Sequence, residues 1–325
     1  MKKRIWRILA VVVILTSLLA ACGGPTGGTA EEANSTDLQG TLTISGAFAL
    51  YPMMTVWAEE FSRLHPDVYF DVQGGGAGKG MTDTITGSVD IGMVSRAIKD
   101  EEIAKGIFWI PVTKDAVFPI ISAENPFAER IMAQGLSQEV INKIYISGEI
   151  TTWGEVLGDP ALSDEIHIFT RSDAAGAAEQ WAKYAGGEAQ EDLLGIGVNS
   201  EPSIVDTVSK DPLGIGYGNL NSIFDMGSGN AVSGIMVPPL DVNADGVANP
   251  EEVFTQKKEA MQAIADGTYP SPPARFENLV TMGKPEGLTL AFLQWILTDG
   301  QKYLEEAGFV PLTPEQQTAA LEKLE

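Results

Sequence analysis

The alternation of apolar and polar positions in the first globular stretch, residues 42–102, predicts two strand-to-helix turns and a third loop. An apolar run at 42–44 stops before a loop, and apolar residues then recur every third or fourth position, the spacing of a helix with one buried face. A second strand alternates at 68–72, and the glycine-rich stretch 74–80 keeps side chains away from the next helix start. Helix starts offer unpaired N–H groups and the positive end of a dipole, so two of them on neighbouring strands form a cradle for an anion.

The same alternation continues along the chain and predicts an α/β fold. Lys114 and Asp115 separate two of the later strands and mark a crossover to a second lobe. Arg171 follows another strand just before a helix start that Ser172 or Asp173 can cap, so a second place brings a cation and free N–H groups together. The predicted later strands are 108–112, 116–122, 166–169, 215–220 and 277–282, and the helices are 137–145, 174–184, 251–265, 288–297 and 301–307.

The beginning of the chain has the pattern of an export signal and a tether. Basic residues, a short apolar core and small residues predict a secretory signal over residues 1–21, since the core is shorter than the ~20 residues that span a membrane. Residues 22–37 are too polar to fold and form a flexible tether. The signal resembles that of bacterial lipoproteins, which implies that Cys22 is acylated and anchors the chain to the extracytoplasmic face of the cell membrane. Cys22 is the only cysteine, so no intramolecular disulfide can form.

Composition and charge limit the partners. Without its first 21 residues the chain has 304 residues, room for about two domains. It then carries 17 basic and 44 acidic side chains, a formal charge of −27. This charge excludes nucleic acid and anionic lipid surfaces as partners. It also repels small anions at long range, so an anion site must act through N–H groups and a few placed cations.

Motifs for nucleotide binding and catalysis are absent. The stretch 74–80 matches neither G-x-G-x-x-G nor the phosphate-loop pattern, because Gln73 precedes it and Gly80 follows Lys79. The chain has no G-x-S-x-G elbow and no H-E-x-x-H motif, and His65 and His167 lie far apart with no cysteine beside them. We therefore predict no catalytic residue and no enzyme activity.

Seven motifs in order resemble the phosphate-binding proteins of bacterial ABC transporters. They are G-x-x-x-x-Y-P, G-G-G-x-G-x-G, D-I-G-x-x-S-R, E-x-x-x-x-I-Y-x-x-G-x-I-x-x-W, R-x-D-x-x-G, G-I-G-Y and W-I-L-x-x-G-Q, within residues 42–312. The resemblance implies a type II periplasmic-binding-protein fold, with two α/β lobes that are joined by two crossover strands and close on an anion. Lobe 1 would comprise residues 38–115 and 274–325, and lobe 2 residues 116–273.

The resemblance also implies which residues hold the ligand. In this role Asp90 would accept a proton from the ligand and Arg171 would supply charge. Alanines replace the family's hydroxyl side chains, which leaves three alternatives: weaker phosphate binding, a different and partly apolar anion, or no ligand. The implied ligand-binding residues, with two from the third loop, are Ala47, Phe48, Ala49, Leu50, Tyr51, Ala77, Asp90, Ser95, Arg96, Arg171, Ala175, Gly176 and Ala177.

These observations predict a monomeric, lipid-anchored receptor that captures phosphate or a related oxyanion and delivers it to the permease of an ABC transporter. A cell-surface phosphoesterase or an adhesion protein on the same fold is the alternative from another class. Turnover of a phosphoester would separate the two.

Residues 241–252 carry a second, independent signal. They fit the EF-hand calcium pattern D-x-[DN]-x-[DN]-G-x-x-x-x-x-E, and a helix is predicted to follow from residue 251. The sequence thus predicts a structural Ca²⁺ site, with an acidic surface loop that binds no metal as the alternative. The predicted ligands are Asp241, Asn243, Asp245, the carbonyl of Val247, Asn249 and Glu252.

Overall fold

Residues 38–325, which the computed structural model describes, fold into alternating strands and helices. The strands are β1 (Gly40–Gly46), β2 (Val68–Gly74), β3 (Ile91–Val94), β4 (Ile107–Ser122), β5 (Leu136–Ser137), β6 (His167–Arg171), β7 (Ile196–Val198), β8 (Gly214–Asn219), β9 (Ile235–Met236), β10 (Leu240–Asp241) and β11 (Ala274–Met282). The α-helices are α1 (Tyr51–Leu64), α2 (Ala77–Ile85), α3 (Asp100–Ala104), α4 (Ala128–Gln134), α5 (Gln138–Tyr145), α6 (Trp153–Val156), α7 (Gly176–Tyr184), α8 (Glu201–Lys210), α9 (Leu220–Ile223), α10 (Lys257–Asp266), α11 (Gly287–Leu297) and α12 (Pro314–Leu324). The predicted signal, tether and acylated Cys22 lie outside the described residues.

Most of these strands form one sheet, in which two parallel groups flank an antiparallel pair. The strand order is β2-β1-β3-β11-β4-β8-β6-β7, and β9 pairs with β4. β1 is parallel to β2 and β3, and β6 is parallel to β7 and β8. β11 is antiparallel to β3 and β4, and β4 is antiparallel to β8. The long strands β4 and β11, here called the crossover pair, therefore join the two parallel groups.

The strand β4 is continuous where the sequence predicted two strands separated by Lys114 and Asp115. β11 pairs with β4 over residues 107–116, so the hydrogen-bonded ladder passes through both charged positions. Asp115 is buried there, 3.0 Å from the guanidinium of Arg275. The predicted break was wrong because a buried ion pair lets the strand carry a charge through the interior.

Two clusters of buried side chains divide the described chain. The first is built on α1, α2, α11, α12 and the group β1, β2 and β3, and the part of the chain around it is here called lobe 1. The second is built on the helices from α4 to α10 and the group containing β6 and β8, and its part is called lobe 2. Along β4 the first cluster ends at Val112 and the second begins at Ala116. The lobe limits that the sequence predicts stay a prediction.

Two predicted helices differ from the structure. α10 begins at Lys257 instead of residue 251, because Glu252 accepts hydrogen bonds from the backbone of Val242 (2.8 Å) and Asn249 (3.0 Å) and so fixes a turn. The segment predicted as a helix over 301–307 forms a short 3-10 helix at Asp299–Tyr303. Within residues 38–325, no helix combines the length and the apolar character needed to cross a membrane.

The loops that follow the parallel strands carry the helix starts. β1, β2 and β3 lead into α1, α2 and α3, and β6, β7 and β8 lead into α7, α8 and α9. Ligands of open α/β sheets bind beyond the carboxyl ends of the strands. This edge of the two lobes is therefore the place to look for a site.

Candidate functional site

A small cavity lies between the lobes, where the loops after β1, β2, β3, β6 and β8 meet. Its volume is about 10 Å³, close to the room that one water molecule needs. All of its lining residues except Phe48 are buried, so a ligand larger than water enters only when the lobes move apart. The cavity is lined by Phe48, Ala49, Gly76, Ala77, Ser95, Arg171, Ala175, Gly176, Ala177, Glu201 and Asn219.

Backbone N–H groups from both lobes are available at this cavity. α2 begins at Ala77 and α7 at Gly176, and the first N–H groups of a helix have no partner within the helix. The N–H groups of Ala77, Gly176 and Ala177 find no acceptor in residues 38–325, and the same holds for Phe48 and Ala49 in the loop after β1. Five donors and the positive ends of two helices make the cavity suited to an anion.

Glycines allow the lobes to touch beside the cavity. A Cβ atom on Gly176 would come 2.3 Å from Oγ of Ser95, so only glycine fits at this start of α7. Nearby, the N–H of Gly78 donates to the carbonyl of Ala174 across the cleft at 3.0 Å. The backbones of the two lobes are thus in direct contact.

Arg171 is the cation of the cavity wall, and carboxylates hold it on two sides. Its side chain is 2 % exposed. Its Nε donates to Asp173 Oδ1 at 2.7 Å, its Nη2 donates to the other oxygen of Asp173, and its Nη1 lies 3.3 Å from Glu201 Oε2. The ring of Phe48 lies 5.6 Å from the guanidinium carbon. Burial favours the neutral form of Asp173, but the Arg171 hydrogen bonds prevail and lower its pKa.

Glu201 and Asn219 line the cavity, although the sequence analysis did not select them. The N–H of Asn219 donates to Glu201 Oε1 at 2.5 Å, and its side-chain amide donates to the other oxygen. Burial raises the pKa of Glu201, although the positive charge of Arg171 opposes this shift. Their positions could have indicated them, because Glu201 begins a helix and Asn219 ends a strand at the same edge of the sheet as Arg171.

The polar network continues from the cavity into the crossover pair. Arg275 on β11 donates to the side-chain oxygen of Asn219 and to Asp115 Oδ2 on β4 (3.0 Å), and its Nε lies 3.3 Å from Glu277. Glu277 is fully buried, and neither of its carboxylate oxygens has a hydrogen-bond donor among the described residues. Burial raises the pKa of both Glu277 and Asp115, although Arg275 opposes the shift.

The structure places Asp90 away from the cavity, which corrects its predicted role as proton acceptor. Its carboxylate accepts hydrogen bonds from the N–H (2.8 Å) and the hydroxyl (2.7 Å) of Thr43. Asp90 precedes β3, whereas the cavity residue Ser95 follows the other end of that strand, so the whole length of β3, roughly 13 Å, separates them. The carboxylate that lines the cavity is Glu201.

Arg96 also departs from its predicted role, since it does not line the cavity. Its two Nη atoms donate to the carboxylate of Glu102 at 2.9 and 2.6 Å, and its Nε lies 3.3 Å from Glu179. Burial opposes ionisation of Glu102, but the Arg96 hydrogen bonds prevail and lower its pKa. The guanidinium is therefore held by protein carboxylates.

The other predicted residues divide into two groups. Ala47 and Leu50 are buried in lobe 1 and Tyr51 begins α1 at the surface, so none of the three lines the cavity. The remaining predicted residues form the cavity wall, and their contact with a ligand stays a prediction. They are Phe48, Ala49, Ala77, Ser95, Arg171, Ala175, Gly176 and Ala177.

The predicted calcium loop holds itself together with its own N–H groups. Asp241 accepts hydrogen bonds from the N–H of Asp245 (3.2 Å) and Gly246 (2.9 Å), Asp245 accepts one from the N–H of Val247, and Glu252 is bound to the loop backbone as described above. In the described part of the chain, no three His, Cys, Asp or Glu side chains converge as metal ligands. Calcium binding at residues 241–252 stays a prediction.

Known proteins resemble this chain along most of its length. The family model for the PBP superfamily domain matches residues 31–300. The phosphate-binding protein PstS of Bacillus subtilis is 27% identical over 96% of both chains, and that of Staphylococcus saprophyticus is 28% identical over 100% of this chain and 95% of its own.

Two solved structures have a similar fold. A putative phosphate ABC transporter substrate-binding protein with bound phosphate from Clostridium perfringens has a TM-score of 0.66 at 23% identity, over 84% of this chain and 100% of its own. An ABC-type phosphate transport receptor from Vibrio cholerae has a TM-score of 0.61 at 21% identity, over 83% and 100%. These likenesses confirm the predicted type II periplasmic-binding-protein fold.

Replacing Arg171 by Met should destabilise the fold by about 3 to 5 kcal/mol, because Asp173 and Glu201 would keep buried charges without their partner. Urea unfolding at neutral pH measures the free energy. Arg63→Met is the matched control, since the Arg63 side chain is 72% exposed and pairs with Glu60 at the surface of α1. Equal losses in the two variants would contradict the buried pairing.

Glu277→Gln should change how stability depends on pH. The pKa of Glu277 is raised above its ordinary value of 4.5, so the folded chain binds more protons than the unfolded chain above that pH. Stability of the wild type is then lost as pH rises from 4.5 towards the raised pKa, and the Gln variant lacks this loss. Between about pH 5 and about pH 8, the free energy of unfolding of the variant, measured with urea, should rise relative to that of the wild type. Glu149→Gln, which removes the same charge at an exposed position, is the control. Parallel curves for the wild type and Glu277→Gln would contradict the account.

Proposed function

The chain belongs to the PBP superfamily, and on that premise we propose that it is a solute-binding protein that captures phosphate for import by an ABC transporter. Relatives named phosphate-binding protein PstS cover nearly the whole chain, which supports phosphate as the solute. Their name describes binding, and the cavity walls hold no serine, histidine and carboxylate set for catalysis, which supports a binding role over an enzymatic one.

The observation that carries this proposal is the small cavity at which two helix starts and Arg171 meet. Ala77 starts α2 in lobe 1 and Gly176 starts α7 in lobe 2, so an anion between them would connect the lobes. Each hydrogen bond from an N–H group to a charged ligand contributes about 1.5 to 3 kcal/mol. The full binding energy is then gained only when N–H groups of both lobes bind the same ligand.

A carboxylate in the cavity favours an anion that still carries a proton. Glu201 is buried in the wall, and a fully ionised ligand beside it would be repelled at short range. Phosphate retains a proton at neutral pH and can share it with a carboxylate, whereas sulfate has none to share. The cavity should therefore prefer phosphate to sulfate.

The apolar part of the cavity supports a second candidate ligand, an oxyanion that carries a small apolar group. The ring of Phe48 and the methyl groups of Ala49, Ala77, Ala175 and Ala177 lie in the wall. A methyl or ethyl substituent would bury apolar surface there, which stabilises binding by about 0.8 kcal/mol for each carbon group.

Export and anchoring complete the proposal. Acylation of Cys22 would hold the protein at the outer face of the cell membrane, and residues 22–37 would let the lobes reach a permease. We propose that the protein works there as a monomer, with the permease of the transporter as its protein partner. Labelling with a radioactive fatty acid in wild type and in Cys22→Ser tests the anchor.

Calorimetric titration should show that phosphate binds and that sulfate binds about tenfold more weakly or worse, because Glu201 repels an anion without a proton. Methylphosphonate and acetate complete the ligand set. Methylphosphonate tests the second candidate, an oxyanion that carries a small apolar group. Absence of binding for all four anions, or turnover of a phosphoester, would contradict a phosphate receptor.

Restoring hydroxyl groups should tighten phosphate binding by about tenfold, because each new hydrogen bond to the anion adds free energy of binding. The variant combines Ala77→Ser, Ala175→Ser and Ala177→Thr, all in the cavity wall. Ala161→Ser is the control, since Ala161 is exposed in lobe 2 and does not line the cavity. Unchanged affinity in the combined variant would mean that the ligand is not phosphate or does not lie against these residues.

A further inference from the structure

One carboxylate of lobe 2 is reached by two cations of lobe 1. Glu179 lies on α7, and its Oε2 is 3.3 Å from Nε of Arg96 and 3.7 Å from Nζ of Lys99. Arg96 and Lys99 belong to the loop between β3 and α3 in lobe 1. The three side chains bridge the cleft, and none of them lines the anion cavity.

Each side of this bridge also has a partner in its own lobe. Arg96 donates through both Nη atoms to Glu102 in lobe 1. Glu179 accepts a hydrogen bond through Oε1 from Lys183 on the same helix, at 2.9 Å. Opening the cleft therefore leaves no buried charge unpaired, so it avoids the penalty of breaking an isolated buried ion pair. The bridge can form and break with small changes in free energy.

The bridge is placed where it controls the start of α7. Glu179 lies one helical turn after Gly176, and Arg96 follows Ser95 directly. Gly176 and Ser95 approach each other closely across the cleft beside the cavity. Pairing of Glu179 with Arg96 thus holds the N–H groups of α7 against lobe 1.

We propose that Arg96, Lys99 and Glu179 form a latch that stabilises the closed state and slows ligand release without touching the ligand. Glu179 is then a positioning residue, and Arg96 acts between lobes instead of on the anion. The identity of the ligand in this inference rests on the proposed function, whereas closure itself can be measured without any ligand.

Water reaches the latch from one side. A groove of about 450 Å³ lies between the lobes, and Arg96, Lys99, Glu179 and Glu188 are among its lining residues. Ion pairs next to water are screened by salt. The contribution of the latch should therefore fall as ionic strength rises.

Glu179→Gln should weaken phosphate binding by about two- to fivefold at low salt, with most of the change in the dissociation rate, because the closed state loses its cross-lobe ion pairs. Calorimetry and stopped-flow measurements at about 0.02 M and about 0.5 M salt give both quantities, and the difference from wild type should shrink at high salt. Glu188→Gln is the matched control. It removes the same charge from an exposed position of the same groove, and no cation within residues 38–325 pairs with it.

Distances between the lobes test the latch when no ligand is present. Cys22 is the only cysteine, so spin labels at Lys105→Cys and Glu191→Cys in a Cys22→Ser background react selectively. Lys105 lies in lobe 1 and Glu191 in lobe 2, and both are exposed. At low salt, Glu179→Gln should populate longer distances than wild type and than Glu188→Gln.

The outcomes separate the latch from the ligand. If Glu179→Gln and Glu188→Gln give the same distances and the same affinity, the latch is wrong. If neither the wild type nor the two variants bind phosphate, but Glu179→Gln alone opens the cleft, the latch stands and the proposed ligand is wrong. If phosphate does not bind and the distances agree, both proposals are wrong.

Discussion

The buried charge of Arg171 is the constraint on which the centre of this protein depends. A guanidinium that is removed from water needs carboxylates around it, and Asp173 in the loop after β6 and Glu201 at the start of α8 provide them. Glu201 in turn needs donors, which Asn219 supplies, and Asn219 leads to Arg275 on the crossover pair. One pairing requirement thus connects the wall of the cavity to the strands that join the lobes.

This pairing also decides how an anion can be attracted. The carboxylates offset the charge of Arg171, and the chain has a formal net charge of −23. The attraction at short range therefore comes mainly from N–H groups at the starts of α2 and α7, whose directions are fixed by the helices. Side-chain hydroxyls are not required for such a site, which is compatible with alanine at positions where relatives of this fold were expected to carry serine or threonine.

The sequence was sufficient for the parts of the site that follow from local pattern. Strand ends and helix starts identified the stretch 74–80 and Arg171, because a strand that turns into a helix has a recognisable alternation of apolar positions. The family resemblance then pointed to Ala77 and Gly176. The sequence was not sufficient for Asp90, since a motif gives the order of residues but not which end of a short strand faces the cleft. The partner of Arg96 could not be foreseen either, because Glu179 lies in the other lobe and only the folded chain brings the two together.

The close approach of Gly176 to Ser95 has a consequence for how closure can be read by another molecule. At that point the two surfaces are separated by less than the thickness of a methyl group, so the closed lobes cannot approach each other any further. The same feature makes the contact a mechanical stop: once glycine meets serine, a stronger ligand cannot close the lobes further, and the closed shape is the same for weak and tight ligands.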